Sequence, residues 1–227
     1  MSVPQRDDQI RTPIFNAMPA AVLILATAIL ASAAITALSP EAGRWILASS
    51  LVISGPAGTA LPAQPLGHVA PLLLHVFIHF GLLHLVMNLA VLIGAGRAVG
   101  LALGGGIRGT AGFLVFFFMC AAAGAALEVL LPHDGIVQMG GASTGVSGLI
   151  AAAGWVRGGY RGMLGLALPW IGFNILIALT GMVLPIPISW AGHIGGTVAG
   201  ALLFPLALAT FGEGQGRDGG DGGRFSA

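Results

Sequence analysis

Residues 140–149, Gly-Gly-Ala-Ser-Thr-Gly-Val-Ser-Gly-Leu, set two serines among four glycines at the start of an apolar stretch. Ser143 and Ser147 are four residues apart, one turn of a helix, so both leave the same helical face. A serine hydroxyl is a poor nucleophile until a base accepts its proton, and imidazole is the side chain whose ordinary pKa suits that exchange. His193 is the candidate base: it stands alone in a later apolar stretch, next to glycines that let its helix approach another. His84 and Asn88, also one turn apart, add hydrogen-bond donors of the kind that receive a developing oxyanion. A serine, two histidines and an asparagine make a nucleophile-plus-base pattern suited to acylation through a tetrahedral intermediate.

The elements that must position these side chains follow from composition. Of 227 residues 56% are hydrophobic and 7% charged, against about 25% charged in a soluble domain. The chain is therefore expected to be an integral membrane protein. A net charge of +1 gives no reason to expect nucleic acid. The single cysteine, Cys120, excludes an intramolecular disulfide and a cysteine-based metal site. With 13 prolines and 37 glycines spread through the apolar runs, kinked and closely packed helices are expected.

In chain order, 1–13 reads as a cytoplasmic polar tail, 14–211 as the membrane domain, and 212–227 as a disordered Gly-rich tail. Six spans are expected, at about 14–38, 80–99, 111–131, 142–156, 163–184 and 188–210, each judged against a hydrocarbon core of about 30 Å. The first is longer than the apolar part of a signal peptide and five more follow it, so it counts as a true helix. Residues 39–70, with four prolines and apolar runs between them, are too polar to span and too apolar to float, which puts them in the interface. The chain has no lysine. Six spans with the N-terminus inside place Arg6, Arg11, Arg97, Arg108, Arg157, Arg161, Arg217 and Arg224 on the cytoplasmic side, against Arg44 alone outside. An arginine-only basic set with abundant Ala and Gly points to a GC-rich bacterial gene, and so to an inner membrane with a periplasmic site.

Depth separates the two serines. His84 lies 13 residues before Arg97 and Ser143 14 before Arg157, so at 1.5 Å per residue both sit about 20 Å above the inner boundary. His193, seven residues in from Ile186, is about 10 Å from the outer end and reaches the same level. Ser147 falls about 6 Å deeper and reads as a packing residue bonded to the carbonyl one turn earlier. Gly192, Gly196 and Gly200 form a small-residue row expected to face Gly148, Ala151 and Ala152, bringing helix six to helix four. No third acid is apparent: Glu128 and Asp134 are placed neither on the histidine's helix nor at its depth, which favours a dyad. His75 and His79 are expected to hydrogen-bond the first loop, and His68 and His133 to be solvated. Trp170, Phe173 and Met87 line either a gate between helices two and five or a lipid-facing surface.

These residues carry a resemblance. Gly141-Ala142-Ser143 with Gly148-Leu149 is similar to the G-A-S-x-x-x-x-G-L of rhomboid intramembrane serine proteases. His79, His84 and Asn88 resemble the family's H-x-x-x-x-H-x-x-x-N, and Gly192-His193-Ile194-Gly195-Gly196 its A-H-x-G-G. The likeness covers about residues 14–210, with the motifs on helices two, four and six. It implies an all-α, six-transmembrane-helix bundle with an interfacial loop after helix one. It further implies cleavage of other membrane proteins in or near their transmembrane segments by a Ser-His dyad, without metal or cofactor, and participation of helix five in substrate access. Three departures stand out: Thr144 where glycine commonly follows the nucleophile, Gly192 where alanine commonly precedes the histidine, and a reversed Arg44-Trp45 pair in the first loop. The alternative is a rhomboid-like module of the same fold that binds transmembrane helices without cutting them; a small-solute transporter is disfavoured by the lack of a repeated half. Oligomeric state and natural substrate are not legible.

The arginine count generates a test. Alkaline phosphatase fused after Arg161 should be inactive and fused within 56–66 active; the reverse pattern would overturn the topology.

Overall fold

The computed structural model describes residues 18–181 and 188–212. The tail 1–13, residues 14–17 of the expected first span and residues 182–184 of the expected fifth lie outside them, as does the C-terminal tail beyond Gly212. Elements run α1 (Ala20–Leu38), α2 (Pro40–Ser50), β1 (Val52–Ser54), α3 (Pro71–Leu74) continuing into a 3-10 turn (His75–Phe77), α4 (Leu82–Leu103), α5 (Gly106–Leu130), β2 (Val137–Met139), α6 (Ser143–Gly181) and α7 (Trp190–Phe211). In lipid every backbone group must be bonded within its own segment, which selects helices for apolar runs of this length. Five of them, α1, α4, α5, α6 and α7, are long and apolar enough to cross a membrane.

Boundaries differ from expectation where local chemistry overrides apolarity. Of the expected first span 14–38, residues 14–17 lie outside the described residues; the helix itself starts at Ala20, with Pro19 as its N-cap. Apart from residues 182–184, which lie outside the described residues, the expected spans 142–156 and 163–184 fall on α6, in which two helices run on across a kink within the 39 residues Ser143–Gly181. Straight, it would be about 58 Å long, nearly twice a bilayer core. It is not straight. Gly158 and Gly159 leave helical geometry, and Gly159 at φ 57° and ψ −144° occupies a region open only to glycine. Residues 143–157 and 160–181 fold back side by side: a Cβ built on Gly154 would lie 2.5 Å from the Gly162 carbonyl oxygen, and the Trp155 and Tyr160 rings meet at 6.1 Å.

Segment 39–70 is more ordered than a loop. Ser39 caps α2 through its Oγ, which accepts from Ala42 N. The Gln64 side chain donates to the Ala48 and Leu51 carbonyls. β1 pairs antiparallel with β2 in the register Val52↔Met139, a two-stranded sheet that periodicity did not reveal.

Glycines set the helix spacing. α7 lies against both α5 and α6: a Cβ on Gly196 or Gly200 would strike the backbone of Thr144 or Gly148, and one on Gly195 would come 3.0 Å from Gly124 Cα. Of the expected partners Gly148 is met, and the row also touches Thr144 and, on α5, Gly124. Phe113, Phe116, Phe117 and Phe204 fill the core with Leu92, Leu149 and the free thiol of Cys120. At the opposite end, Arg108 donates to the Thr210 carbonyl, a cation at the C-terminus of α7.

Gly196→Val should lower thermal stability by about 2–3 kcal/mol, as overpacking does. Gly165→Ala, where nothing lies within 4 Å of an added Cβ, should be neutral or stabilising by up to about 1 kcal/mol. Thermal unfolding in detergent reads both.

Candidate functional site

The sequence-selected residues gather at one end of the bundle. Ser143 is the first residue of α6, His84 lies in the first turn of α4, and His193 in the first turn of α7. Their common level thus reflects three helix N-termini converging. His193 is nearer its helix start than expected, because α7 begins at Trp190.

The approach to Ser143 is held from both sides. β2 leads through Gly140 to Gly141, whose φ of 130° only glycine readily adopts. Gly141 N donates to the His75 carbonyl at 2.8 Å. A Cβ on Gly141 would sit 2.8 Å from His84 Cε1 and Nε2 and 3.5 Å from Ser143 Oγ, so the His84 ring and the Ser143 hydroxyl flank this glycine. Ser143 alone in 140–149 is not buried.

Ser147 is fully buried. Its Oγ donates to the Ser143 carbonyl at 2.7 Å, as expected from its position one turn on, and accepts from Trp170 Nε1 at 3.0 Å. Its hydroxyl proton is thereby engaged in the helix.

His193 Nδ1 lies 2.7 Å from Asn174 Oδ1, and the Trp170 ring stacks obliquely on the imidazole at 5.7 Å. Asn174 was missed in the sequence; a lone asparagine in an apolar span was the available signal. Trp170 packs against Phe173, which is exposed, as is Met87. Among the described residues no hydrogen bond joins Ser143 Oγ to His193.

His84 Nδ1 accepts from Phe80 N at 3.4 Å, which leaves its proton on Nε2, the nitrogen beside Gly141. Asn88 is buried and donates from Nδ2 to the His84 carbonyl at 2.9 Å, with a second amide proton remaining. The His79 ring meets that of His84 at 5.1 Å, tilted by 54°, and both its ring nitrogens are buried without a hydrogen-bonding side chain or carbonyl among the described residues.

His75 anchors the loop to the serine's neighbour. Its Nδ1 donates to the Pro71 carbonyl at 3.0 Å, and its Nε2 accepts from Thr144 Oγ1 at 2.8 Å. The hydroxyl that stands where glycine was expected is thus a tether. Burial pushes the His75 pKa down to about 4, opposed by backbone hydrogen bonds at Pro71 and Leu72. His79 is also pushed down to about 4, chiefly by burial and secondarily by His84.

Two expectations need correction. Glu128 was placed away from the histidine's depth, yet its Oε2 accepts from Ser189 Oγ at 2.6 Å and Gly192 N at 3.2 Å, one residue before His193. The C-terminal end of α5 and the N-terminal end of α7 meet, which arginine-based ruling could not show. His133 is not simply solvated: it donates from Nε2 to the Glu128 carbonyl at 2.8 Å, closing the end of α5. His68 is exposed and bonds Gln64.

A multi-pass helical membrane protein with polar side chains converging at one end is the class defined so far. A family model described as Rhomboid domain matches residues 66–210, which include every candidate residue and more than half of the chain. The chain belongs to the rhomboid family. A search of curated proteins gave no match.

His75 and His79 generate a pH dependence. Both pKa values are lowered in the folded state, so the unfolded chain takes up protons first. Their contribution is fully present above about pH 6.5 and is lost as pH falls toward 4. The thermal midpoint should therefore drop between pH 7.5 and 5, and His75→Gln should flatten that slope while lowering the midpoint at pH 7.5.

Proposed function

We propose that the chain is an intramembrane serine endopeptidase that cleaves membrane proteins in or near their transmembrane segments. The observation that carries this reading is the accessibility of Ser143 within an otherwise buried stretch, at the level of His193. Ser143 Oγ attacks the scissile carbonyl and its proton passes to His193 Nε2. The oxyanion is received by His84 Nε2–H, the free Asn88 amide proton and the Ser143 N–H at the start of α6. His193 then returns the proton to the leaving amine, and water releases the acyl group by the same route in reverse. The dyad needs no metal or cofactor.

The reading extends to topology. Residues 143–157 and 160–181 count as two spans, giving six in all, with Arg97, Arg108, Arg157 and Arg161 and both termini cytoplasmic. The interfacial segment 39–70 and residues 14–211 complete the membrane domain, in a bacterial inner membrane with substrates presented from the bilayer. Substrates with small, helix-destabilising residues at the cut fit best, because a peptide bond must leave its helix before a serine can reach it.

Purified protein with such a membrane substrate should cleave, and Ser143→Ala and His193→Ala should each reduce kcat by at least about 10³-fold. Ser147→Ala should retain cleavage within about tenfold, as expected of a hydroxyl that is bonded to the Ser143 carbonyl and the Trp170 indole and attacks nothing itself. Cleavage surviving Ser143→Ala but lost in Ser147→Ala would reverse the assignment. A wild type that neither cleaves nor labels with a serine-directed fluorophosphonate would instead support the helix-binding module without catalysis.

A further inference from the structure

A histidine that serves as base must leave Nε2 unprotonated, which puts its proton on Nδ1 and calls for an acceptor there. Asn174 Oδ1 stands 2.7 Å from that nitrogen. The carboxamide has a donor end and an acceptor end, and the structure separates them: Asn174 Nδ2 donates to the Trp170 carbonyl at 2.9 Å, one turn back on the same helix. Only the oxygen is left to face His193. Asn174 is fully buried, so no water competes for the contact.

The same helix restrains the ring a second way. Trp170 stacks on His193, and its indole N–H is tied to Ser147 Oγ, which is itself bonded to the Ser143 carbonyl. One hydrogen bond fixes the tautomer and one ring fixes the tilt. Both come from residues 160–181, whereas His193 belongs to α7.

We propose that Asn174 is a positioning residue that holds His193 as the Nδ1–H tautomer, completing a Ser143–His193–Asn174 arrangement. This rests on the peptidase reading above. An amide suits the location: a carboxylate would have to be desolvated in the same buried place, whereas a neutral carbonyl oxygen accepts the Nδ1 proton without that cost. The imidazolium formed during the reaction keeps the same acceptor, so the ring need not turn between taking the Ser143 proton and returning it. A bland interhelical glue role would require only that some polar atom of Asn174 meet α7. It would not require the donor end to be turned away on Trp170.

The experiment uses the full chain in detergent with a membrane substrate, and in parallel histidine labelled with ¹⁵N. Asn174→Ala should lower kcat about 100-fold or more, the direction seen when a base histidine takes the wrong tautomer, with KM within about twofold. Asn174→Asp, which offers the same acceptor, should stay within about tenfold of wild type. The ¹⁵N resonance of His193, assigned by its loss in His193→Gln and so told apart from that of His75, which is also Nδ1-protonated, should report Nδ1 protonation in wild type, change tautomer in Asn174→Ala and persist in Asn174→Asp. Trp170→Phe keeps the acceptor and should keep that signal. Should Asn174→Ala not fold, Asn174→Ser, too short to reach His193, replaces it. An unchanged kcat, or a tautomer signal indifferent to Asn174, would overturn the proposal. If wild type does not cleave, the peptidase reading fails, while the tautomer measurement still decides whether Asn174 orients His193.

Discussion

The structure depends on backbone contact between α5, α6 and α7 where Gly124, Thr144, Gly192 and Gly196 meet. A Cβ on Gly124 would collide with the Gly192 carbonyl, and one on Gly196 with that of Thr144. In lipid no hydrophobic force presses helices together, so association relies on close van der Waals packing and on hydrogen bonds that such closeness permits. The contact lies one residue from both Ser143 and His193. Packing and chemistry therefore share one constraint: the spacing that lets these helices bind also decides whether the serine and the imidazole can cooperate.

Around that contact, three polar groups are held from different segments. Thr144 is tied to His75 in the loop, His193 to Asn174, and the start of α7 to Glu128 on α5. In a low-dielectric interior a satisfied bond is strong and an unsatisfied group costly, so such links fix geometry more firmly than apolar packing can. Those on Thr144 and His193 join neutral partners through a defined tautomer, which avoids the desolvation of charge. Glu128 differs: its carboxyl sits at a helix N-terminus and accepts from the Ser189 hydroxyl and the Gly192 N–H there.

Residues at motif positions were legible in sequence because intramembrane polar side chains are rare and their spacing is helical. Ser143, His193, His84 and Asn88 do gather at one end. Partners between motifs were not legible, since nothing in a linear pattern states that Asn174 faces His193 or that Glu128 reaches Gly192. Apolarity located the helices but not their ends: Pro19 set the start of the first, and two glycines, 158 and 159, turn the chain between the two expected spans of α6. The β1–β2 pair escaped because three-residue strands carry no usable period.

The helix starts are held in different ways. α2 and α7 begin under side-chain caps, Ser39 for one and Ser189 with Glu128 for the other. α4 begins after Gly81 with no side-chain cap, and α6 begins after Ala142, which has no side-chain oxygen to offer. The first turn of any helix carries N–H groups with no partner inside it. At α7 Glu128 accepts from the Gly192 N–H, which steadies the helix carrying His193, the proposed base. At α4 and α6, the helices assigned to receive negative charge, no side chain of the preceding residue fills that role. A missing side-chain cap does not by itself mark the site, since α1 and α5 also begin without one; what sets α6 apart is that its first N–H belongs to Ser143 itself, the residue at which the proposed chemistry places a developing anion.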